Sequence, residues 1–352
     1  MRKTIFVKPL SCFCISTCLY VLCLASAAAL AQDPNPATTL PSDPKALMLL
    51  AAKVNGLPGS DAQPWHLKAS WKMLDEKGST SDQGTYEEFW AGPTKYKRTF
   101  TGTAFTQSYY RTEKDFLRSG VQKLPSELIS DVRRELVEPM PDERTVRYMS
   151  FVVRESEAGS TKLSCLSLDG KAIYNAPSYL IGRSFCFDTE KPLLRISTSN
   201  ADLAQYLHSD FQNFQGRSVA GDLKIIQDGK LALTVHLEIL EPLVTIQESD
   251  FAPPPDATQA PHKITLSAGV AQGFLLKHYD PVYPKGASSV GTVIARIVVD
   301  TSGHVADPKF LAGPPELRNA SLDCIRKWTY KPYLLNGSPV EFDTTVNLVF
   351  SR

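Results

Sequence analysis

The sequence has almost no net charge: 38 Lys and Arg stand against 37 Asp and Glu, a formal +1 in 352 residues. Both signs are mixed along the chain, which excludes the basic stripe that nucleic acid or an acidic lipid surface would require. Histidine is scarce too, with six residues and no His-x-x-x-His pair, and no Cys-x-x-Cys spacing occurs. Those absences remove the usual zinc patterns. A G-x-S-x-G elbow and a glycine-rich phosphate loop are both missing, so there is neither an activated serine nor a nucleotide cradle. Glu87-Glu88 fall on opposite faces of a strand, one solvated and one edge carboxylate rather than an acid/base pair. The expectation is a protein without enzymatic activity, cofactor, metal or nucleic-acid partner.

What is present begins at the N-terminus. Arg2, Lys3 and Lys8 precede a nearly uncharged run from Leu10 to Ala31 that ends Ala29-Leu30-Ala31. A basic start, an apolar stretch and small residues at the cleavage positions are the pattern of an export signal. Residues 1–31 are therefore expected to be removed, leaving Gln32 first; the same run is long enough for an uncleaved membrane anchor. Four of the seven cysteines lie in it, leaving Cys165, Cys186 and Cys324. An oxidising compartment allows a Cys165–Cys186 disulfide between strand-like runs, and two buried thiols are the alternative. Cys324 reads as a core residue of a helix.

Residues 32–44 are a polar, proline-rich lead. Leu47, Leu50, Ala51 and Val54 then recur at helical spacing, with Ser42 or Asp43 as cap and Pro44 in the first turn. That cap also explains the Ser-x-x-Lys pattern of residues 42–45. From Trp65 the period becomes two: Trp65, Leu67, Ala69, Trp71 and Met73 share one face, as in a half-buried antiparallel strand. Further strands are expected at 85–90, 96–100, 105–112, 115–119, 146–153, 162–168, 179–187 and 193–198. Residues 125–137 interrupt them with a helical stripe of Leu128, Ile129, Val132 and Leu136, and 202–216 fit helix or strand. Asp228-Gly229 joins two apolar runs as a hairpin turn.

Many strands and few helices imply a curved antiparallel sheet filled by a helix, an α+β fold. Residues 45–250 resemble the LolA-like periplasmic lipoprotein-carrier fold in the early helix, the meander, the 125–137 helix and the closing "DLKIIQDGKLALTVHLEIL" hairpin. The resemblance implies an incomplete barrel whose cavity takes lipid or acyl chains; a filled core with a structural role is the other reading. Residues 251–274 contain "APPPDATQAP" and read as a semi-rigid spacer.

The last segment, 275–352, forms a smaller module. Val293, Ala295, Ile297 and Val299 share a strand face, 300–303 makes a turn, and Pro314-Pro315 introduce a helix with the stripe Leu317, Ala320, Cys324 and Trp328. Lys331-Pro332 is expected to end that helix. Phe342, Thr344, Val346, Leu348 and Phe350 alternate with polar residues in a final strand. The expectation is a three-stranded antiparallel sheet with one packed helix, Trp328 lying in its core.

This module resembles the C-terminal domain of the TonB family. Tyr283-Pro284, Gly291-Thr292-Val293, Asp300-x-x-Gly303-x-Val305, Ala320, Trp328-x-Tyr330-x-Pro332, Gly337 and the last strand carry the likeness. It implies a periplasmic protein of a Gram-negative type bacterium that pairs a sheet edge with extended segments of outer-membrane receptors. The expected partner-binding residues are Tyr283, Pro284, Phe342, Thr344, Val346 and Leu348, along the edge 342–350. No histidine precedes His66, so the intramembrane Ser-His feature of that family is missing, and a large β domain stands where its long spacer would be. The intact mass of the exported protein is expected to begin at Gln32; a mass retaining residues 1–31 would make that segment an anchor.

Overall fold

The computed structural model describes residues 40–57, 63–173, 176–261 and 263–351; the expected signal segment, 1–31, lies outside them. Asp43 starts the first helix, α1 (Pro44–Val54), by accepting a hydrogen bond from Ala46 N at 2.7 Å, and Leu47, Met48 and Ala51 form its buried face. The cap satisfies a backbone donor that has no partner within the helix.

A meander follows: β1 (Trp65–Leu74), β2 (Thr80–Gly92), β3 (Lys95–Thr101), β4 (Thr106–Arg111) and β5 (Phe116–Gly120). Two helices, α2 (Glu127–Val137) and α3 (Glu143–Tyr148), lead into a second one. This comprises β6 (Phe151–Ala158), β7 (Thr161–Leu168), β8 (Arg183–Asp188), β9 (Leu194–Ser199), β10 (Ala204–Phe214), β11 (Arg217–Gln227) and β12 (Lys230–Pro242). The two meanders join where β1 lies antiparallel to β12, from Trp65 opposite Pro242 to Met73 opposite Leu233.

One face of this sheet wraps α2. Leu128, Ile129, Val132 and Leu136 pack among Trp65, Leu67, Trp71, Tyr86, Leu223 and Leu233. The alternation of β1 and the stripe of α2 thus meet in one core, each large apolar side chain contributing about 1.5–3 kcal/mol on burial. Asp228 and Gly229 both adopt left-handed backbone, φ 50° and 77°, as a two-residue turn matched to strand twist requires. Cys165 and Cys186 lie directly opposite on β7 and β8 and are joined by a disulfide, their Cα atoms 3.9 Å apart.

Two stretches differ from the sequence reading. Val146 belongs to α3 rather than to a strand starting there, because Asp142 accepts from Thr145 N at 2.9 Å and caps a helical turn; β6 starts at Phe151. Strand β8 starts at Arg183 because Leu180 and Ile181 are buried within a turn, Leu180 N donating to Pro177 O. Residues 204–214 resolve to strand.

The chain then passes through α4 (Glu248–Phe251), β13 (Thr258–Gln259), β14 (Lys263–Thr265), α5 (Ala268–Gln272) and β15 (Leu275–Lys277). The stretch read as a spacer is therefore stitched to both sheets, β13 extending the large sheet beyond β5 and β14 joining a second sheet. That second sheet contains β16 (Gly291–Val299), β17 (Lys309–Ala312) and, after a 3-10 turn (Pro315–Leu317), α6 (Arg318–Ile325), β18 (Thr329–Tyr330) and β19 (Tyr333–Leu335), the long β20 (Ser338–Phe350). Helix α6 ends at Ile325, earlier than Lys331-Pro332, because Thr329 and Tyr330 leave to pair with β15. Trp328 remains 8 % exposed in the core, its indole N–H donating to Tyr279 O at 3.1 Å.

The polar side of α2 is buried as well. Of the Glu87-Glu88 pair, expected as one solvated and one edge carboxylate, Glu88 is fully buried, where it accepts from Tyr86 and from Arg133 Nε at 3.0 Å; Glu87 stays on the outer face beside His66 Nε2 at 2.9 Å. Glu135 is 1 % exposed and accepts from Arg134 Nε, Arg183 Nη2 and Ser197 Oγ at 2.8–3.0 Å. Burial alone would raise its pKa, but Arg183 and Arg134 outweigh burial and hold the carboxyl well below the usual range. A depressed carboxylate stabilises the fold above its unfolded value and loses that contribution as pH falls. Asp131, raised mainly by burial, works in the opposite sense. The urea midpoint is expected to drop steeply as pH falls below about 4. Glu135→Gln should flatten that drop while costing about 3 kcal/mol at pH 7; an unchanged acid limb would contradict this role for Glu135.

Candidate functional site

The C-terminal sheet has two faces and two edges, and each has a definite fate. Val293, Ala295, Ile297 and Val299 of β16 lie opposite Leu348, Val346, Thr344 and Phe342 of β20. This parity faces α6, in a core with Leu317, Ile325, Trp328 and Tyr330. The other parity turns towards the large β domain. Ile294 and Leu311 join the cluster formed by α1, α3 and β6–β9, with Leu47, Leu180, Ile181 and Phe185.

The β17 edge is taken up in that contact. Leu311 O accepts from Asn200 Nδ2 at 3.2 Å, and Arg318 Nη2 donates to Asn200 O at 3.1 Å. Lys309 Nζ lies 2.7 Å from Asp202 Oδ1 and also meets Glu127 at the start of α2. Burial alone would lower the Lys309 ammonium, but Asp202 and Glu127 outweigh burial and hold it above the ordinary lysine range.

The β20 edge has a different environment. Lys263, Ile264 and Thr265 of β14 run parallel to Glu341, Phe342 and Asp343, and Leu266 N donates to Asp343 O at 2.9 Å. Val298, opposite Asp343, directs its own N–H and C=O the other way, to Asp307 O and from Ala306 N. Strand alternation then aims the N–H and C=O of Thr345, Asn347 and Val349 outward from the β14 side. Strand pairing on that side stops at Asp343 among the described residues. Asn347 is exposed and Val349 is 67 % exposed. The result is a short stretch of open edge, a template for another extended chain.

Tyr283 and Pro284 are brought to the end of this edge. The Tyr283 ring stands edge-on to Phe350, centroids 6.2 Å apart, and its hydroxyl donates to Ser289 O at 2.6 Å. Pro284 O accepts from Ala287 N and closes the adjoining turn. Val282 and Val290, on either side of that turn, are 82 % and 53 % exposed.

The four strand residues expected to contact a partner are corrected by this geometry. Phe342, Thr344 and Leu348 are buried, and Val346 packs on the same core, so their side chains support the strand from inside. The residues presented outward are Thr345, Asn347 and Val349. The alternating pattern contained them; apolarity pointed to the opposite parity, which is the core parity. The β14 pairing left only a short Lys-Ile-Thr-Leu alternation in a proline-rich stretch, too brief to read as a strand.

The glycine at 303 has a steric reason. Gly303 has φ 90°, and a Cβ there would stand 2.0 Å from Tyr330 O. Its own carbonyl accepts from Tyr330 N at 2.8 Å, so the Asp300–Gly303 turn is fastened to β18 and no larger residue fits.

Between the C-terminal sheet and the β domain lies a crevice of about 1600 Å³ with charged walls, including Arg134, Asp202, Lys309, Arg296 and Asp343. Asp343 accepts there from Arg296 Nε at 3.2 Å and from Thr265 Oγ1 at 2.8 Å. Among the described residues no group of His, Cys, Asp or Glu is placed to hold a metal ion, and no helix is long and apolar enough to cross a membrane.

Three solved structures are similar to part of this chain. A DUF1329 family protein from Desulfovibrio piger has 10 % identity and a TM-score of 0.40, with 60 % of this chain and 98 % of that chain covered. A LolA superfamily protein from Nitrosomonas europaea has 8 % identity and a TM-score of 0.39, with 60 % and 99 % covered. MucB has 11 % identity and a TM-score of 0.29, with 72 % and 78 % covered. No curated protein sequence matches the chain. In the C-terminal domain, where β16, β17, α6 and β20 build the open edge, residues 279–351 match the family described as Gram-negative bacterial TonB protein C-terminal.

Proposed function

We propose that this is a cell-envelope binding protein that captures extended segments of outer-membrane proteins by adding them to the β20 edge. The observation that carries this reading is the open run Thr345–Val349 next to Tyr283, within the domain matched by the TonB C-terminal family. Unpaired backbone groups supply hydrogen bonds without regard to sequence, and exposed side chains such as Val349 and Val282 select among peptides. The location is the periplasm of a Gram-negative type bacterium, with attachment to the inner membrane if residues 1–31 are retained. The role is binding, with no catalytic step.

The alternative, a carrier of lipid or another hydrophobic ligand, would use the concave face of the β domain. That face is packed by Leu128, Ile129, Val132 and Leu136 of α2. An acyl chain would have to displace the helix, together with the buried Arg133–Glu88 and Arg183–Glu135 pairs. The adaptor reading needs no such rearrangement.

The test is a titration of the full-length exported chain with N-terminal peptides of outer-membrane receptors, followed by backbone amide shifts. Saturable shifts are expected at Thr345–Val349 and around Tyr283, with little change in β1–β12. Absence of shifts across the whole peptide set would remove outer-membrane segments as the partner.

A further inference from the structure

The edge that remains open for a partner continues directly into an edge that the protein closes with its own chain. We propose that residues 263–265 form a displaceable strap: a surrogate strand that occupies the first part of the β20 edge and leaves it when an extended partner pairs there. The partner half of this statement rests on the function proposed above; the strap itself rests on the geometry of β14.

Three features separate β14 from the rest of the sheet. Its pairing covers only three residue pairs, Lys263–Glu341, Ile264–Phe342 and Thr265–Asp343, whereas β16 pairs with β20 over nine, from Gly291–Phe350 to Val299–Phe342. It is the parallel member of a sheet whose other pairings are antiparallel, and parallel pairing is slightly weaker per residue. Lys263 and Thr265 are exposed, and the apolar hold on the strap is limited to Ile264 and the following Leu266, both only half-buried against the core, so modest apolar burial opposes release.

The strap is also tied where release would matter. Thr265 Oγ1 and Arg296 Nε share the Asp343 carboxylate, at 2.8 and 3.2 Å. Lys263, Thr265, Arg296 and Asp343 all line the crevice between the sheet and the β domain. Lifting β14 therefore does two things together: it lengthens the open edge from 345–349 back to 341, and it removes part of one crevice wall. Pairing of a partner on the edge is linked in this way to the surface facing the β domain.

Native-state hydrogen exchange on the full chain tests the strap without any receptor peptide, so its failure is distinct from failure of the proposed partner. The Leu266 amide, which donates to Asp343 O, is expected to exchange at least about 100-fold faster than the Ala295 and Ile297 amides, through an opening that exposes little surface. Exchange of all three at a common rate would overturn the proposal, because β14 would then open only with the whole domain. Ile264→Pro removes a strand donor while keeping an apolar side chain. A synthetic peptide of residues 261–267, Pro-His-Lys-Ile-Thr-Leu-Ser, should bind that variant at least tenfold more tightly than the wild-type chain, where the covalent strap competes. Equal behaviour of the peptide towards both proteins, including no binding to either, would show that the edge is not vacated and would overturn the proposal as well.

Discussion

A β-sheet has two edges, and which one is consumed decides what the other can do. Here the β17 edge is consumed: Leu311 and Ile294 enter the apolar cluster of the β domain, Asn200 reaches the Leu311 carbonyl, and Lys309 stands between Asp202 and Glu127. Buried cations require such carboxylate partners, since the desolvation penalty is otherwise uncompensated. The polar contact therefore fixes orientation, while the apolar residues supply the attraction. With that edge and one sheet face committed, the outward backbone groups left without a strand partner among the described residues are those of β20 beyond Asp343.

The large domain supplies the surface against which the C-terminal module packs. Its sheet closes around α2, and the helix is buried on its polar side as well as on its apolar stripe. Arg133, Arg134, Glu135 and Asp131 all find partners inside, on β2, β8, β10 and neighbouring turns of the helix. Such a network contributes more to a unique arrangement than to net stability, because removing one member strands the others. Glu127, at the first turn of the same helix, then meets Lys309. One helix thus fills the β domain and helps to seat the C-terminal sheet.

Much of this architecture was legible in the sequence, and the exceptions have physical causes. The two-residue period of Trp65–Met73 and the helical period of Leu128–Leu136 identified a sheet and its plug, since each pattern is tied to a backbone repeat. The burial of Glu88 and Glu135 was not legible, because a charged residue is recognised as buried only when its distant partner is known. At the site, the expected partner residues Tyr283 and Pro284 lie at the end of the last strand, where Tyr283 meets Phe350. The partner residues expected within 342–350 follow the apolar parity, whereas the outward backbone groups belong to Thr345, Asn347 and Val349. Strand β14 was hidden because proline-rich context suppresses the signal of three extended residues. The early end of α6 had a similar cause, a tertiary pairing of Thr329-Tyr330 with β15 that no local pattern announces.

The most direct measurement is the affinity of the full chain carrying Asn347→Pro for receptor N-terminal peptides, beside its thermal stability. Proline at that position removes one outward N–H from the open edge and leaves the bonds to β16 in place, a substitution that edge positions tolerate. The account predicts an unchanged melting transition and peptide binding weakened by about tenfold or more, on the order of one lost hydrogen bond plus the steric cost of the ring. Undiminished binding by a stably folded Asn347→Pro chain would contradict the assignment of the β20 edge as the partner surface.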